Sequence, residues 1–331
     1  MAPTSSPPVP ERLLLASPRG YCAGVDRAVQ TVERALELYG PPVYVRKEIV
    51  HNKHVVDQLR SRGAVFVDEE TEVPEGAVAV FSAHGVAPSV HANARKRHLR
   101  TIDATCPLVT KVHVEARKFA SEGYTIVLIG HAGHEEVEGT MGEAPERILL
   151  VETEADVDTL EVEDPARVAY VSQTTLSVDE TRTIIARLRE RFPGIIGPRT
   201  DDICYATTNR QAAVKQLAAE CDVVLVIGST NSSNSQRLVD VTRDLGTEAH
   251  LIDNEAQVSD EWLLGRRTVG ITSGASAPEE LVQRLVDYFR ARGTSEVAEL
   301  QVVEEDVRFM LPKVIRQAVV AAEGSPAPAL A

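Results

Sequence analysis

The chain has 331 residues, 43% of them hydrophobic and 25% charged, with a formal net charge of −14. That is an ordinary globular composition with enough chain for two or three domain-sized units, but it is too acidic for the basic footprint of wholesale nucleic-acid binding, and its 4% aromatic content leaves little for base stacking. No apolar run approaches the roughly 18 residues of a membrane span, residues 1–10 (MAPTSSPPVP) lack the basic and apolar regions of a leader, and four cysteines are too sparse for a disulfide scaffold, so a reducing, cytoplasmic setting is expected.

In chain order, a Pro/Ser-rich tail (1–10) precedes the run LLLASPRGYC, which ends in Cys22. A helix-patterned stretch follows, AGVDRAVQTVERALEL, and then the apolar strand VYVRKEIV. The unit continues as helix HNKHVVDQLRSRG, strand AVFVDE and strand AVAVFSAHGVAP. The same series starts again at RTIDATC, ending in Cys106, with helix PLVTKVHVEARKFASEG and strand YTIVLIG, then HAGHEEVEGTMG, ILLVETE and RVAYVSQTTLS. It starts a third time at PRTDDIC, ending in Cys204, with helix YATTNRQAAVKQLAAE and strand DVVLVIG, then STNSSNSQRLVDVTRDLG, AHLIDN and TVGITSGASAP. Alternating strands and helices argue for α/β units, and continuous apolar runs such as VVLVIG argue for parallel strands buried on both faces. The expected boundaries are a disordered tail at 1–10, a first strand at 11–23 that packs with the third domain, α/β domains at 24–106, 107–200 and 201–293, a C-terminal segment at 294–323 that packs back on the body, and a disordered tail at 324–331.

The repeat predicts where the chemistry lies. Polar residues recur at two equivalent strand ends: His51 and Asn52, His134 and Glu136, and Ser232, Ser233 and Asn234 at one; His84, then Gln173, Thr174 and Thr175, then Ser276 at the other. Ligands of open α/β sheets bind beyond the carboxyl ends of strands, so three units sharing an axis would aim these groups and three thiols into one cavity. A thiol at a helix start is expected to ionise more readily through the dipole. Structural zinc sites show close cysteine pairs, and none occurs here. Widely separated single cysteines fit an iron–sulfur cluster assembled by tertiary structure, with three ligands leaving one iron open. Cys221 has no counterpart in the other units and reads as a small buried hydrophobe. His54, His91, His98, His113, His131 and His250 read as ordinary core or surface residues.

The segments RGYCAGVDRAV, DATCPLV, GHEEVEGTMGE, SQTTLSVDET, GSTNSSNSQRL and SGASAPEELV, in this order over about residues 12 to 315, resemble the 4-hydroxy-3-methylbut-2-enyl diphosphate reductase family, the terminal step of the methylerythritol phosphate route to isoprenoids. The resemblance implies a trefoil of three pseudo-three-fold-related α/β domains around one 4Fe–4S cluster per chain, held by Cys22, Cys106 and Cys204, with the stretch after Gly293 packing back over the third unit and helping to close the site. It implies that the iron without a cysteine binds the substrate hydroxyl, that Glu136 delivers protons and Thr174 contacts that hydroxyl, and that His51, His84, His134, Ser232, Ser233, Asn234 and Ser276 hold the diphosphate. The products would be isopentenyl and dimethylallyl diphosphate, and the two electrons would come from ferredoxin or flavodoxin. Two competing readings stand beside it: a quinolinate synthase-like dehydratase on a similar trefoil, and an iron–sulfur sensor or binding module with a closed cluster.

Overall fold

The computed structural model describes residues 8–323, so the tail expected at 324–331 and residues 1–7 lie outside the described residues. Residues 8–10, expected to belong to the N-terminal tail, are held in place: the Thr294 hydroxyl donates to the Pro10 carbonyl at 2.9 Å and Arg292 donates to that of Pro8. Strand β1 (Arg12–Ser17) leads to helix α1 (Ala23–Tyr39). The first unit contains β2 (Val43–Arg46), α2 (Lys53–Ser61), β3 (Ala64–Val67), β4 (Val78–Phe81), α3 (Pro88–Lys96) and β5 (Arg100–Asp103). The second contains α4 (Pro107–Ser121), β6 (Thr125–Ile129), α5 (Glu135–Met141), β7 (Ile148–Val151), α6 (Glu154–Thr159), β8 (Val168–Ser172) and α7 (Val178–Arg191). The third contains α8 (Tyr205–Glu220), β9 (Val223–Ile227), α9 (Ser233–Asp244), β10 (Glu248–Ile252), β11 (Thr268–Ser273) and α10 (Glu279–Arg292). The chain then adds β12 (Glu296–Gln301) and α11 (Lys313–Glu323).

Three parallel sheets result, ordered β3-β2-β4-β5, β7-β6-β8 and β10-β9-β11-β1-β12. Each begins with the same trio, in which the unit's first strand lies between its second and third. That shared order is the physical form of the sequence repeat. Each sheet is covered on both faces, because its apolar residues fall into two separate clusters, such as Leu13, Val223 and Leu225 on one side of the third sheet and Leu14, Val224 and Val226 on the other. Each such fully buried side chain contributes roughly 1.5–3 kcal/mol.

The three cysteine runs occupy one structural position. β5 extends the first sheet beyond β4 and hands the chain to α4, whose N-cap is Cys106. β1 extends the third sheet beyond β11 and hands the chain to α1, capped by Cys22. In the second sheet a single parallel bridge from Ala169 to Ile196 does the same work before α8, capped by Cys204. Each cysteine therefore ends an edge segment of one unit and opens the leading helix of the next. The expected pairing of the first strand with the third unit is a β1–β11 ladder.

Two expectations change. The strand read over 43–50 stops at Arg46, because Lys47 adopts a left-handed conformation (φ 58°) that turns the chain toward α2. The C-terminal segment does not stay on the third unit. β12 joins the third sheet beside β1, but α11 crosses to the first unit, where Ile315, Leu311 and Val319 pack into the core under α1. Between them Glu305 pairs with the fully buried Arg210, which also donates to the Gly20 carbonyl at 2.8 Å and so ties this strap to the loop before Cys22.

Candidate active site

The carboxyl ends of the three sheets surround a central cavity. Its walls carry all three candidate thiols, His51, His84, His134, Glu136, Thr174, Ser233, Asn234 and Ser276. Its lining also includes apolar groups that the sequence reading missed: Val50, and Val25, Leu108, Val109 and the ring of Tyr205 in the helix turns that follow the cysteines.

The thiols form one end. Gly24, in the first turn of α1, must be glycine: a Cβ there would lie 2.7 Å from Cys106 Sγ and 3.8 Å from Cys22 Sγ. The helix-start N–H groups do not win the competition over ionisation. Burial, together with the neighbouring Cys22, pushes the Cys106 thiol up to about 12 against weaker help from the Leu108 and Val109 N–H groups. Burial pushes Cys204 up to about 11, although the Thr207 hydroxyl and N–H face its sulfur. For Cys106 and Cys204 this corrects the expectation of easily ionised thiols: desolvation and repulsion outweigh the dipole. Three sulfurs gathered in one cavity lining without lysine or arginine among the described residues form a soft donor set that fits a thiolate-held iron–sulfur group.

The opposite end is a shelf of imidazoles. The His51 and His84 rings stack at 4.0 Å between centroids and 17° between planes, and His134 stands edge-on to both, at 5.5 and 5.9 Å. Two carboxylates that sequence reasoning missed stand behind the stack. Glu135 lies 2.9 Å from His84 Nδ1, and Glu48 lies 3.2 Å from His51 Nδ1. The Nδ1 of His134 instead accepts the Glu136 N–H at 3.2 Å, capping α5. Burial and the two neighbouring imidazoles push His134 down to about 3, and burial and His84 also lower His51. Burial works to raise Glu135, yet its bond to His84 and the neighbouring histidines keep it below the ordinary carboxylate range.

Glu136 lies between the two ends, 2% exposed. Its carboxylate accepts the Thr174 N–H at 2.7 Å and the Thr174 hydroxyl at 3.0 Å. Burial pushes it up to about 7 despite those two bonds. This is the range in which a carboxyl group can both hold and release a proton near neutrality.

From the third unit, Ser233 and Asn234 reach the cavity, with Ser233 in hydrogen-bond range of the Thr175 hydroxyl at 3.1 Å. Ser276 reaches it too, while donating to the His51 carbonyl at 3.0 Å. Ser232 is drawn back. It is fully buried and its hydroxyl is shared among Ser235, Ser276 and the Asn234 amide, so it braces the shelf from behind. Cys221 lies away from the cavity, at the C-terminus of α8 against Gly270.

Fold and site define an α/β trefoil enzyme with three thiols gathered at its centre. Residues 13–290 match the family described as LytB protein. The 4-hydroxy-3-methylbut-2-enyl diphosphate reductase of Acidothermus cellulolyticus is 60% identical over 316 residues, covering 95% of this chain and 93% of that protein. The reductase of the same name from Nocardia farcinica is 60% identical over 307 residues, covering 92% and 91%. Among solved structures, the E-1-hydroxy-2-methyl-but-2-enyl-4-diphosphate reductase of Plasmodium falciparum superposes with a TM-score of 0.92 at 38% identity, covering 95% of this chain and 99% of that one. The chain belongs to the LytB family of 4-hydroxy-3-methylbut-2-enyl diphosphate reductases. Among the described residues no helix is long and apolar enough to cross a membrane.

Proposed function

We propose that this chain reductively removes the hydroxyl of 4-hydroxy-3-methylbut-2-enyl diphosphate, giving isopentenyl and dimethylallyl diphosphate. The observation that carries this reading is the convergence in one cavity of three thiols, a buried proton-holding carboxyl group, an anion-binding shelf and a set of apolar groups. Each matches one part of an allylic diphosphate carrying a hydroxyl. Cys22, Cys106 and Cys204 would hold one 4Fe–4S cluster, which when bound supplies the electrons and a Lewis-acidic iron for the hydroxyl group.

The side chains have separable tasks. His51, His84, His134, Ser233, Asn234 and Ser276 bind the diphosphate, with Ser232 fixing the last two from behind. The apolar groups beside the thiols, Val25, Leu108, Val109 and Tyr205, would keep water from the five-carbon chain. Breaking the C–O bond and filling the allyl unit takes two electrons and two protons, and the oxygen departs as water. Glu136 holds the proton for that oxygen, and the Thr174 hydroxyl fixes the acid and faces the departing group. The electrons come from a small external carrier of the ferredoxin or flavodoxin kind. The GHEEVEG and NSSNS segments build this shelf, which favours the reductase over a dehydratase of similar architecture.

The test is anaerobic turnover. Brown, iron-loaded protein given reduced viologen and the hydroxylated diphosphate should oxidise the viologen and release both five-carbon products. Absence of viologen oxidation by iron-loaded protein would sink the assignment.

A further inference from the structure

No lysine or arginine lines the cavity among the described residues. A diphosphate carrying two or three negative charges would therefore enter a pocket without a fixed cation. The groups able to acquire positive charge there are His51, His84 and His134, and they are not equivalent. His134 accepts a backbone N–H at Nδ1, so its ring proton sits on Nε2 and it serves as a neutral donor. His51 and His84 each face a carboxylate with Nδ1, Glu48 at 3.2 Å and Glu135 at 2.9 Å, which places the Nδ1 proton and leaves Nε2 for the cavity. In the neutral ring that Nε2 is an acceptor and cannot bond a phosphate oxygen. It becomes a donor only when the ring gains a second proton.

The carboxylates facing this stack are Glu48 and Glu135, and the other titratable ring against it is the neutral His134, which His131 influences in turn. Rings stacked at 4.0 Å repel when both are charged. Double protonation thus requires a polyanion on one side and the two carboxylates on the other. The carboxylates are themselves held: Asn231 donates to Glu48 at 2.7 Å, and Ser82 lies 3.5 Å from Glu135.

We infer that the substrate diphosphate binds together with protons taken up by His51 and His84, and that Glu48 and Glu135 are positioning residues that keep the Nδ1 proton in place so that both rings can become charged donors. This rests on the reductase reading and adds a specificity rule. A ligand with two adjacent phosphoryl groups is favoured over a monophosphate by more than its extra contacts, because only the former supports both charges.

The test is a proton count on iron-loaded, oxidised enzyme. Calorimetric titrations with the allylic diphosphate at pH 8, in buffers of different ionisation enthalpy, give the protons taken up per ligand bound. The expected value is above one, with Kd rising about tenfold per pH unit for each proton counted. Glu135→Gln and Glu48→Gln should each lower the count by close to one and raise KM about tenfold, with kcat held within about threefold. A wild-type count of zero overturns the inference, as does a wild-type count retained in both variants. Turnover without proton uptake would refute this inference alone, whereas absence of both diphosphate binding and turnover would refute the reductase reading beneath it.

Discussion

The two ends of the cavity answer the same three-fold repeat differently. At the thiol end the repeat is strict: each unit delivers one cysteine, each as the N-cap of a leading helix. At the shelf the repeat persists in position but not in chemistry. Equivalent strand ends carry His51 in one unit, His134 with Glu136 in the next, and Ser232 to Asn234 in the third. The difference matches the ligands proposed for the two ends. A compact cluster would present similar corners to three sides and suit three identical donors. A diphosphate with a carbon chain and a hydroxyl has no such symmetry, in keeping with three unlike sets of side chains at the shelf. Identity should therefore matter most at the thiols, and role most at the shelf.

The largest expected effect breaks the strict end. Cys22→Ser, Cys106→Ser or Cys204→Ser should each abolish turnover and lower bound iron, read by anaerobic iron analysis and viologen oxidation, and all three should fail alike. A variant with full iron and full activity would remove that thiol from the set. Next comes the one acid between the two ends. Glu136→Gln should cut kcat by roughly 10²-fold or more while Kd for the diphosphate stays within a few-fold. The sign of the pH effect follows from its raised pKa: the proton-bearing form is complete well below about 7 and lost above it. The kcat at saturating substrate should accordingly fall as pH rises through about 7, and that limb should vanish in Glu136→Gln. A smaller effect sharpens the division of labour. Thr174→Val keeps the N–H that Glu136 accepts and removes only the hydroxyl, so kcat should fall about tenfold, the worth of one hydrogen bond to a charged group. The smallest is Cys221→Ala, which should leave iron and kcat unchanged and cost about 1 kcal/mol in thermal unfolding. Loss of iron in that variant would bring the fourth cysteine into the site.

Much of this was legible because the repeat fixes registers. Cys22, Cys106 and Cys204 could be aligned from strand and helix patterns alone, and the alignment carried His51, His84, His134 and Glu136 to one place with them. What stayed hidden depends on which unit backs which. Glu135 belongs to the second unit and serves His84 of the first, and Glu48 meets Asn231 of the third. Nothing in the local pattern of HEEVEG separates Glu135 from a solvated first-turn carboxylate. The retreat of Ser232 behind Ser276 and Asn234 is likewise a matter of packing between strand ends. The crossing of α11 to the first unit was hidden for another reason: its apolar face names no partner until Ile315 is seen buried under α1.

The hand-over at each cysteine has a consequence for the molecule as a whole. Because every thiol sits where the chain leaves one sheet and enters the next unit, no unit owns its thiol outright. The cavity is a keystone position shared by three neighbours. Excising, swapping or permuting a single unit therefore cuts at a thiol's own support, so the three-part plan does not make three separable parts.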